Sequence, residues 1–436
     1  MQAISDADMR RRVVISSTIG NALEWFDFTI FGLFAGVIGK LFFPANDPTS
    51  SLLLTFATFG IAFAARPLGG LVFGLYADKH GRKKALVVMI TLMAIGTGML
   101  GVLPTYAAIG IAAPLLLLLA RLIQGFSAGG EFGSASALLI EFAPPGLRGF
   151  YGAFQMVSQS LAFALGAAMA ITLNSNLSPE AFASWGWRVP FILGILIGPI
   201  GYYLRRRVDE SPEFQAYLAE HAKGAAPAQK TTLGQLFSEH PRELLASFCL
   251  IAAGTAINYV GSVFLPAFAA TELKLPLISA QYGLMFMSLT NAALVLVFGF
   301  LSDKIGRRTV LVPALVIYCI LYFIMLKRLV AEPSVAHLWQ LQAIGVILGA
   351  LAGPMPAFMT EIFPVRVRST GASLMYNFAV MLFGGLAPFI NTWLVQATGD
   401  KTAPVYYIVF AVAVGLFGLL AYRPAPAPAA VRAPAG

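Results

Sequence analysis

Gly74-Leu-Tyr-Ala-Asp78-Lys79-His80-Gly81-Arg82-Lys83 and Gly299-Phe-Leu-Ser-Asp303-Lys304-Ile305-Gly306-Arg307-Arg308 are two versions of one phrase. Each closes an apolar segment and opens the next. A second phrase behaves the same way: Glu141-Phe-Ala-Pro144 with Arg148, then Glu361-Ile-Phe-Pro364 with Arg368. Two motifs recurring at equivalent places and similar offsets make the chain a pair of parallel repeats.

The segments around these phrases are long and apolar. A membrane span needs roughly 20 such residues, and twelve stretches qualify: 13–39, 52–76, 85–104, 109–138, 150–174, 188–204, 243–270, 279–301, 309–327, 337–360, 370–396 and 404–422. Composition agrees. The chain is 58% hydrophobic and 11% charged, against about 45–50% and about 25% in soluble domains. A 436-residue soluble fold cannot hide that much apolar surface, so the excess faces lipid. The expected fold class is an all-α polytopic membrane protein of about twelve transmembrane helices in two six-helix bundles. Residues 1–204 form the first bundle, 205–241 a cytoplasmic linker, 242–422 the second bundle and 423–436 a Pro/Ala-rich disordered tail.

Arg10, Arg11 and Arg12 before an apolar stretch imitate a signal peptide. The stretch is too long for one and carries Asn21, Glu24 and Asp27, so it is expected to be a retained first span. With the N-terminus inside, about 21 of the 29 Lys and Arg fall in cytoplasmic segments and about six on the other side. The bias of basic residues toward cytoplasmic loops favours both termini in the cytoplasm. The net charge of +9 is thus spread over loops and does not indicate nucleic-acid binding. Cys249 and Cys319 lie inside apolar segments, and the four histidines lack metal-ligand spacing. No metal, cofactor or disulfide is expected, and the chain is expected to be a monomer in lipid.

The repeated loops resemble those of the major facilitator superfamily over essentially the whole chain. More narrowly, the sequence resembles the metabolite:proton symporters of that superfamily. The matching residues are Gly20-Asn21-Ala-Leu-Glu24-Trp25-Phe-Asp27-Phe28, Arg66-Pro67-Leu-Gly69, Arg121-Leu-Ile-Gln124-Gly125-Phe-Ser-Ala-Gly-Gly-Glu131 and Trp185-Gly186-Trp187-Arg188-Val-Pro190-Phe191. Glu131 followed by Glu141, with Thr398-Gly399-Asp400-Lys401, looks most like the citrate and tricarballylate members. The resemblance implies the major facilitator fold and alternating access. It also implies a cytoplasmic gate of Asp78, Arg82, Glu141 and Arg148, with Asp303, Arg307, Glu361 and Arg368 as counterpart. The plainer reading of these residues is a set of topology anchors and turns.

Charge at bilayer depth costs at least ~2.5–3.5 kcal/mol on insertion scales, so such residues face a partner or a cavity. Asn21, Glu24 and Asp27 are expected broadly on one helix face, and Arg121, Gln124, Ala128 and Glu131 as a stripe on the fourth span. All five charges, Glu24, Asp27, Arg66, Arg121 and Glu131, belong to the first half. The second half offers neutral groups: Asn258, Tyr259, Asn291, Tyr376 and Asn377. Gln155 and Gln159 join them from the fifth span. Arg66 and Arg121 are candidates for binding a substrate carboxylate, or else permanent partners of Glu24, Asp27 or Glu131. Asp27, Glu24 and Glu131 are candidates for the proton-coupling acid. Arg188, between Trp185 and Trp187, reads as an interfacial anchor.

The expected activity is secondary transport, not an enzyme's chemistry: import of a small di- or tricarboxylate, citrate- or tricarballylate-like, with protons. Other metabolites in the same frame are 2-oxoglutarate, shikimate, proline and betaine. A membrane enzyme would need a metal cluster or activated nucleophile, and a sensor would carry a soluble output domain. Neither signal is present.

Overall fold

In hydrocarbon every backbone N–H and C=O must find its partner within the segment or a closed sheet, which favours helices here. The computed structural model describes residues 6–45, 48–80, 82–144, 146–206, 233–363 and 368–421, and every regular element among them is a helix. Nine helical spans are long and apolar enough to cross a membrane: Pro48–Phe73, Ala112–Gly133, Arg148–Asn176, Pro241–Thr271, Leu277–Ile305, Arg307–Ala331, Val335–Glu361, Thr370–Thr398 and Pro404–Ala421. The first expected span is a bent pair, Arg10–Leu33 and Ala35–Phe42, turned by 67° at Phe34. The third and sixth fall on Arg82–Val102 and Val189–Arg206, whose apolar parts are shorter. All twelve expected segments are therefore helical. Of the expected linker, residues 207–232 lie outside the described residues, as does the tail beyond Ala421.

The packing repeats between the halves. Spans one and five, two and four, and three and six pair in the first half; seven and eleven, eight and ten, and nine and twelve pair in the second. The halves meet through spans five and eight, the most extensive contact in the molecule, and through two and eleven. Those two crossings exchange under the same repeat symmetry. The outer faces carry Leu119, Leu165, Val297, Phe300, Ile320 and Phe417, all exposed. In water that surface would drive aggregation, whereas in lipid it is ordinary.

Several spans are broken, and proline accounts for two breaks. Pro266 and Pro388 lack the N–H that an α-helical turn needs. A wide π-helical turn precedes each, at Val260–Phe264 and Val380–Gly385. Such turns often mark functional positions.

Spans two and four cross so closely that only glycine fits. A Cβ on Gly125 would stand 1.6 Å from the Ala62 carbonyl oxygen, and one on Gly129 2.0 Å from that of Arg66. The Gly125-x-x-x-Gly129 spacing puts both on one face, the small-residue pattern of close membrane-helix packing. Gly125→Val is expected to push these backbones apart. Purified in detergent, the variant should give mostly aggregate on size exclusion, against a single peak for the unaltered protein.

Candidate functional site

The first span carries its polar residues three apart, and three residues turn a helix by 300°. Each successive side chain is therefore rotated by about 60°, and the three fan out to different neighbours instead of sharing one face. Asn21 bonds the fifth span: its amide donates to Ser158 Oγ (2.6 Å) and the Gln155 carbonyl (3.0 Å), while Gln155 Nε2 donates back at 2.9 Å. Glu24 meets the second span, where Arg66 Nη1 approaches Oε1 to 2.9 Å. Asp27 meets the fourth span: Gln124 Nε2 donates to Oδ2 at 2.6 Å and Arg121 Nη1 lies 3.4 Å away. Gln124 also donates to Thr97 Oγ1 of the third span at 2.9 Å. All of these residues are buried.

The two arginines occupy different surroundings. Arg121 is walled by Phe31 (4.2 Å), Phe28 (4.6 Å) and Phe59 (5.5 Å). Its ion pair lies wholly in the first half. Arg66 instead reaches the second half. Its Nε donates to Asn377 Oδ1 (3.2 Å), and Asn377 Nδ2 donates to the Gly129 carbonyl (2.7 Å). Beside this bridge Phe132 and Tyr376 stack with ring centroids 3.6 Å apart. The predicted stripe on the fourth span is interrupted at Gly129–Gly130, and buried Glu131 begins the next helix, Glu131–Glu141.

A pocket lies between the halves, lined by Trp25, Gln159 and Ser160 from the first and Asn258, Tyr259, Asn291 and Tyr376 from the second. Five expected site residues thus come together there. Asn377 flanks Tyr376 without lining it. Asn21, Arg66, Arg121, Gln124 and Gln155 do not line it, nor do Glu24, Asp27 and Glu131. The void is about 40 Å³, room for about three or four waters at ~10–15 Å³ each. A larger ligand requires side chains to move. Arg66 stands directly behind the wall, 5.7 Å from the Trp25 ring and 5.9 Å from Tyr376. Arg121 is one aromatic layer further back, behind Phe28 and Phe59. Two side-chain atoms of lining residues, Tyr259 Oη and Asn291 Oδ1, are buried without a hydrogen-bond partner. Buried polar atoms are rarely left so, and both belong to residues that line the pocket. The sequence reading did not single out Trp25 or Ser160. Trp25 was readable, since its Nε1 donates to Asn21 Oδ1 at 3.0 Å, i to i+4 on one helix.

At one end of the bundle the halves are latched. Asp303 accepts hydrogen bonds from the Gly149 and Phe150 amides (2.9 and 3.0 Å), at the start of Arg148–Asn176. A carboxylate there is favoured by the helix dipole and the unpaired N–H groups. Arg307 pairs with Asp303 at 2.8 Å and holds Glu361 through Nε (3.2 Å) and Nη2 (2.8 Å). Arg148 is exposed. The side chains of Asp78, Arg82, Glu141 and Arg368 lie outside the described residues. The amides of Gly149 and Phe150 carry no residue-type signal, so the sequence reading missed them. At the opposite end Arg188 donates to the carbonyls of Ser184 (2.6 Å) and Leu103 (2.9 Å). Of the two tryptophans beside it, Trp185 is exposed and Trp187 is not. Trp187 is buried between Phe42 and Phe191, a core ring and not an interfacial one.

Residues 13–232 match the family model described as "Sugar (and other) transporter", and residues 246–436 match "Major Facilitator Superfamily". A citrate-proton symporter of Klebsiella pneumoniae is 39% identical over 404 residues, covering 92% of this chain and 89% of its own length. The chain belongs to the major facilitator superfamily. Another relative, a proline/betaine transporter of Salmonella typhimurium, is 34% identical over 427 residues, 95% of this chain and 83% of its own. Among solved superfamily structures, a proton:xylose symporter superimposes with TM-score 0.77 at 16% identity, covering 95% of this chain and 96% of that one. An inward-open xylose transporter from E. coli gives 0.72 at 16%, covering 94% and 95%. Those two identities speak for the fold alone. The relatives and neighbours of this superfamily member are transporters, so it is a multi-pass membrane transporter and not an enzyme.

Removing one partner of a buried ion pair strands the other at a cost of about 3–5 kcal/mol. Glu24→Gln should therefore lower the thermal midpoint in detergent sharply. Glu24→Gln with Arg66→Gln together should recover most of that loss, as read by tryptophan fluorescence on heating.

Proposed function

We propose that this transporter imports a small di- or tricarboxylate together with protons, by alternating access around the pocket between its halves. Both termini lie in the cytoplasm of a bacterial inner membrane. The observation that carries the reading is the pocket's construction: polar Gln159, Asn258, Tyr259 and Asn291 in its wall, with the Arg66 guanidinium directly behind Trp25 and Tyr376. The citrate-proton symporters of Klebsiella pneumoniae and Salmonella typhi, 39% and 38% identical, support it. In this reading a carboxylate draws Arg66 from Glu24 while Gln159, Asn258 and Asn291 orient the rest of the molecule. Asp27 is the coupling acid. It is buried, its Oδ1 has no partner, and it lines a small cavity with Thr97 and Met93 on the side away from the pocket. The latch of Asp303, Arg307 and Glu361 holds the cytoplasmic end closed.

The membrane potential sets a lower bound on proton number. Moving one charge against 100 mV costs ~2.3 kcal/mol, so a trivalent anion entering a negative interior costs about 7 kcal/mol. Net uptake requires at least as many protons as carboxylate charges. Uptake in proteoliposomes should carry no inward negative current, and recording one would reject the scheme.

A second reading has its own observation. Trp25, Phe163, Tyr259 and Tyr376 give the pocket four aromatic walls, the surroundings that attract a quaternary ammonium. The proline/betaine relatives favour it. A thermal-shift panel separates the two: citrate, tricarballylate and 2-oxoglutarate should raise the midpoint by several degrees, and betaine and proline should leave it unchanged. The reverse pattern transfers the assignment to the zwitterion. Asp27→Asn should abolish proton-driven accumulation and leave substrate exchange measurable. Exchange in the same vesicles certifies folded protein, and intact accumulation removes Asp27 from the coupling role.

A further inference from the structure

At the end opposite the latch the halves part into a second cavity of about 1070 Å³, whose lining includes Lys40, Asn174, Phe264, Glu272, Lys274 and Lys401. Spans one, five and seven line both cavities. The residues at the larger one lie one to four turns further along them, roughly 8–20 Å at 1.5 Å per residue. Any solute approaching the midplane pocket from this end crosses it.

Few cations stand at this end, about six in all, and three of them line this cavity. Two are held in place by backbone. Lys274 Nζ donates to the Thr271 carbonyl and Lys401 Nζ to that of Glu272, each at 2.6 Å. These adjacent carbonyls end the helix Leu265–Thr271, and lysines distant in sequence converge on them. An ammonium has three donors, so each keeps two for a ligand. Lys274 is the one non-glycine residue with positive φ (57°) among the described residues. Helix ends usually give that conformation to glycine. A lysine here accepts a poor backbone geometry and gains an ammonium at the cavity wall. Two carboxylates stand against the three ammonium groups, which leaves the cationic side in excess. Glu272 is the acid among the lining residues, and Asp400 beside Lys401 turns Oδ1 to the Thr402 N–H and hydroxyl, both at 2.8 Å. Those hydrogen bonds hold the Asp400 carboxyl below the usual carboxylate range. Arg188, also at this end, is already engaged with two carbonyls and does not line the cavity.

We infer that this cavity is an anion-capture vestibule, in which Lys40, Lys274 and Lys401 gather a carboxylate substrate before it reaches the neutral-lined pocket. The inference rests on the carboxylate reading above and adds a second, weaker site to it. Like charges lining a cleft raise the local concentration of an opposite ion and its rate of entry, and salt screens the effect over about 8–10 Å. The vestibule therefore acts on capture, not on the translocation step.

The test uses the full-length protein in proteoliposomes, with initial uptake of radiolabelled citrate, tricarballylate and 2-oxoglutarate at low and high ionic strength. For the unaltered protein kcat/KM should fall about tenfold from low to high salt. Lys40→Gln, Lys274→Gln and Lys401→Gln combined should show the high-salt value at both, with kcat unchanged. Lys274→Arg with Lys401→Arg should restore the salt dependence, which separates charge from folding. Lys327→Gln with Arg328→Gln, at the same end but off the cavity, should behave as the unaltered protein. The vestibule is overturned if the triple variant keeps its salt dependence, if kcat falls instead of KM rising, or if the Lys327/Arg328 variant gives the same loss. If the unaltered protein takes up none of the three acids, the carboxylate reading fails and the vestibule falls with it.

Discussion

Two guanidinium groups are held in the middle of a bilayer, and the architecture around them follows from neutralising that charge. Arg66 and Arg121 cannot shed a proton at any ordinary pH, and hydrocarbon offers nothing to solvate them. Each is supplied with a carboxylate from the first span, Glu24 for Arg66 and Asp27 for Arg121, and with aromatic faces around it. Because both acids come from one helix and the arginines from two others, the pairs bind spans one, two and four into a unit. The glycine crossing of spans two and four brings their backbones close enough for this to happen.

That unit explains the asymmetry between the halves. The first half contains buried ions, so its spans are tied by contacts that are costly to break. The second half presents amides and phenols to the pocket and is interrupted by two π-helical turns before Pro266 and Pro388. Between the halves the polar contacts sit at distinct heights. The latch of Asp303 on the amides of Gly149 and Phe150 closes one end. The Arg66–Asn377 bridge and the Phe132–Tyr376 stack lie at the pocket's side. Asn174 reaches Gln281 at 3.2 Å beside the wide cavity. Opening the latch end requires the first two sets to separate together, so they form one barrier with two layers.

The two ion pairs differ in what they can report. Asp27 and Arg121 touch only first-half groups among their hydrogen-bond partners, behind a layer of phenylalanine. Glu24 and Arg66 touch the pocket wall and, through Asn377, the other half. A change at the first pair must pass through packing to reach the ligand, while a change at the second alters the wall itself. In the proposed function, this division keeps the ion-coupling acid apart from the substrate's arginine.

The sequence by itself determined the membrane class, the succession of apolar helices, the two related halves and, among the described residues, the identity of the buried charges. Those follow from hydropathy, period and repeated loop phrases, which are local properties. The resemblance to the superfamily grouped Asp303, Arg307 and Glu361 with Arg368, and the first three do meet. Tertiary structure decided who partners whom. The spacing Asn21, Glu24, Asp27 suggested one face, yet a 60° rotation per step sends each to a different helix. The arginines, equal in the sequence, were ranked only by packing, with Arg66 against Trp25 and Tyr376 and Arg121 behind Phe28 and Phe59. The convergence of Lys274 and Lys401 on adjacent carbonyls was equally invisible. Contacts between spans distant in the chain depend on helix rotation and crossing, and no local pattern encodes those.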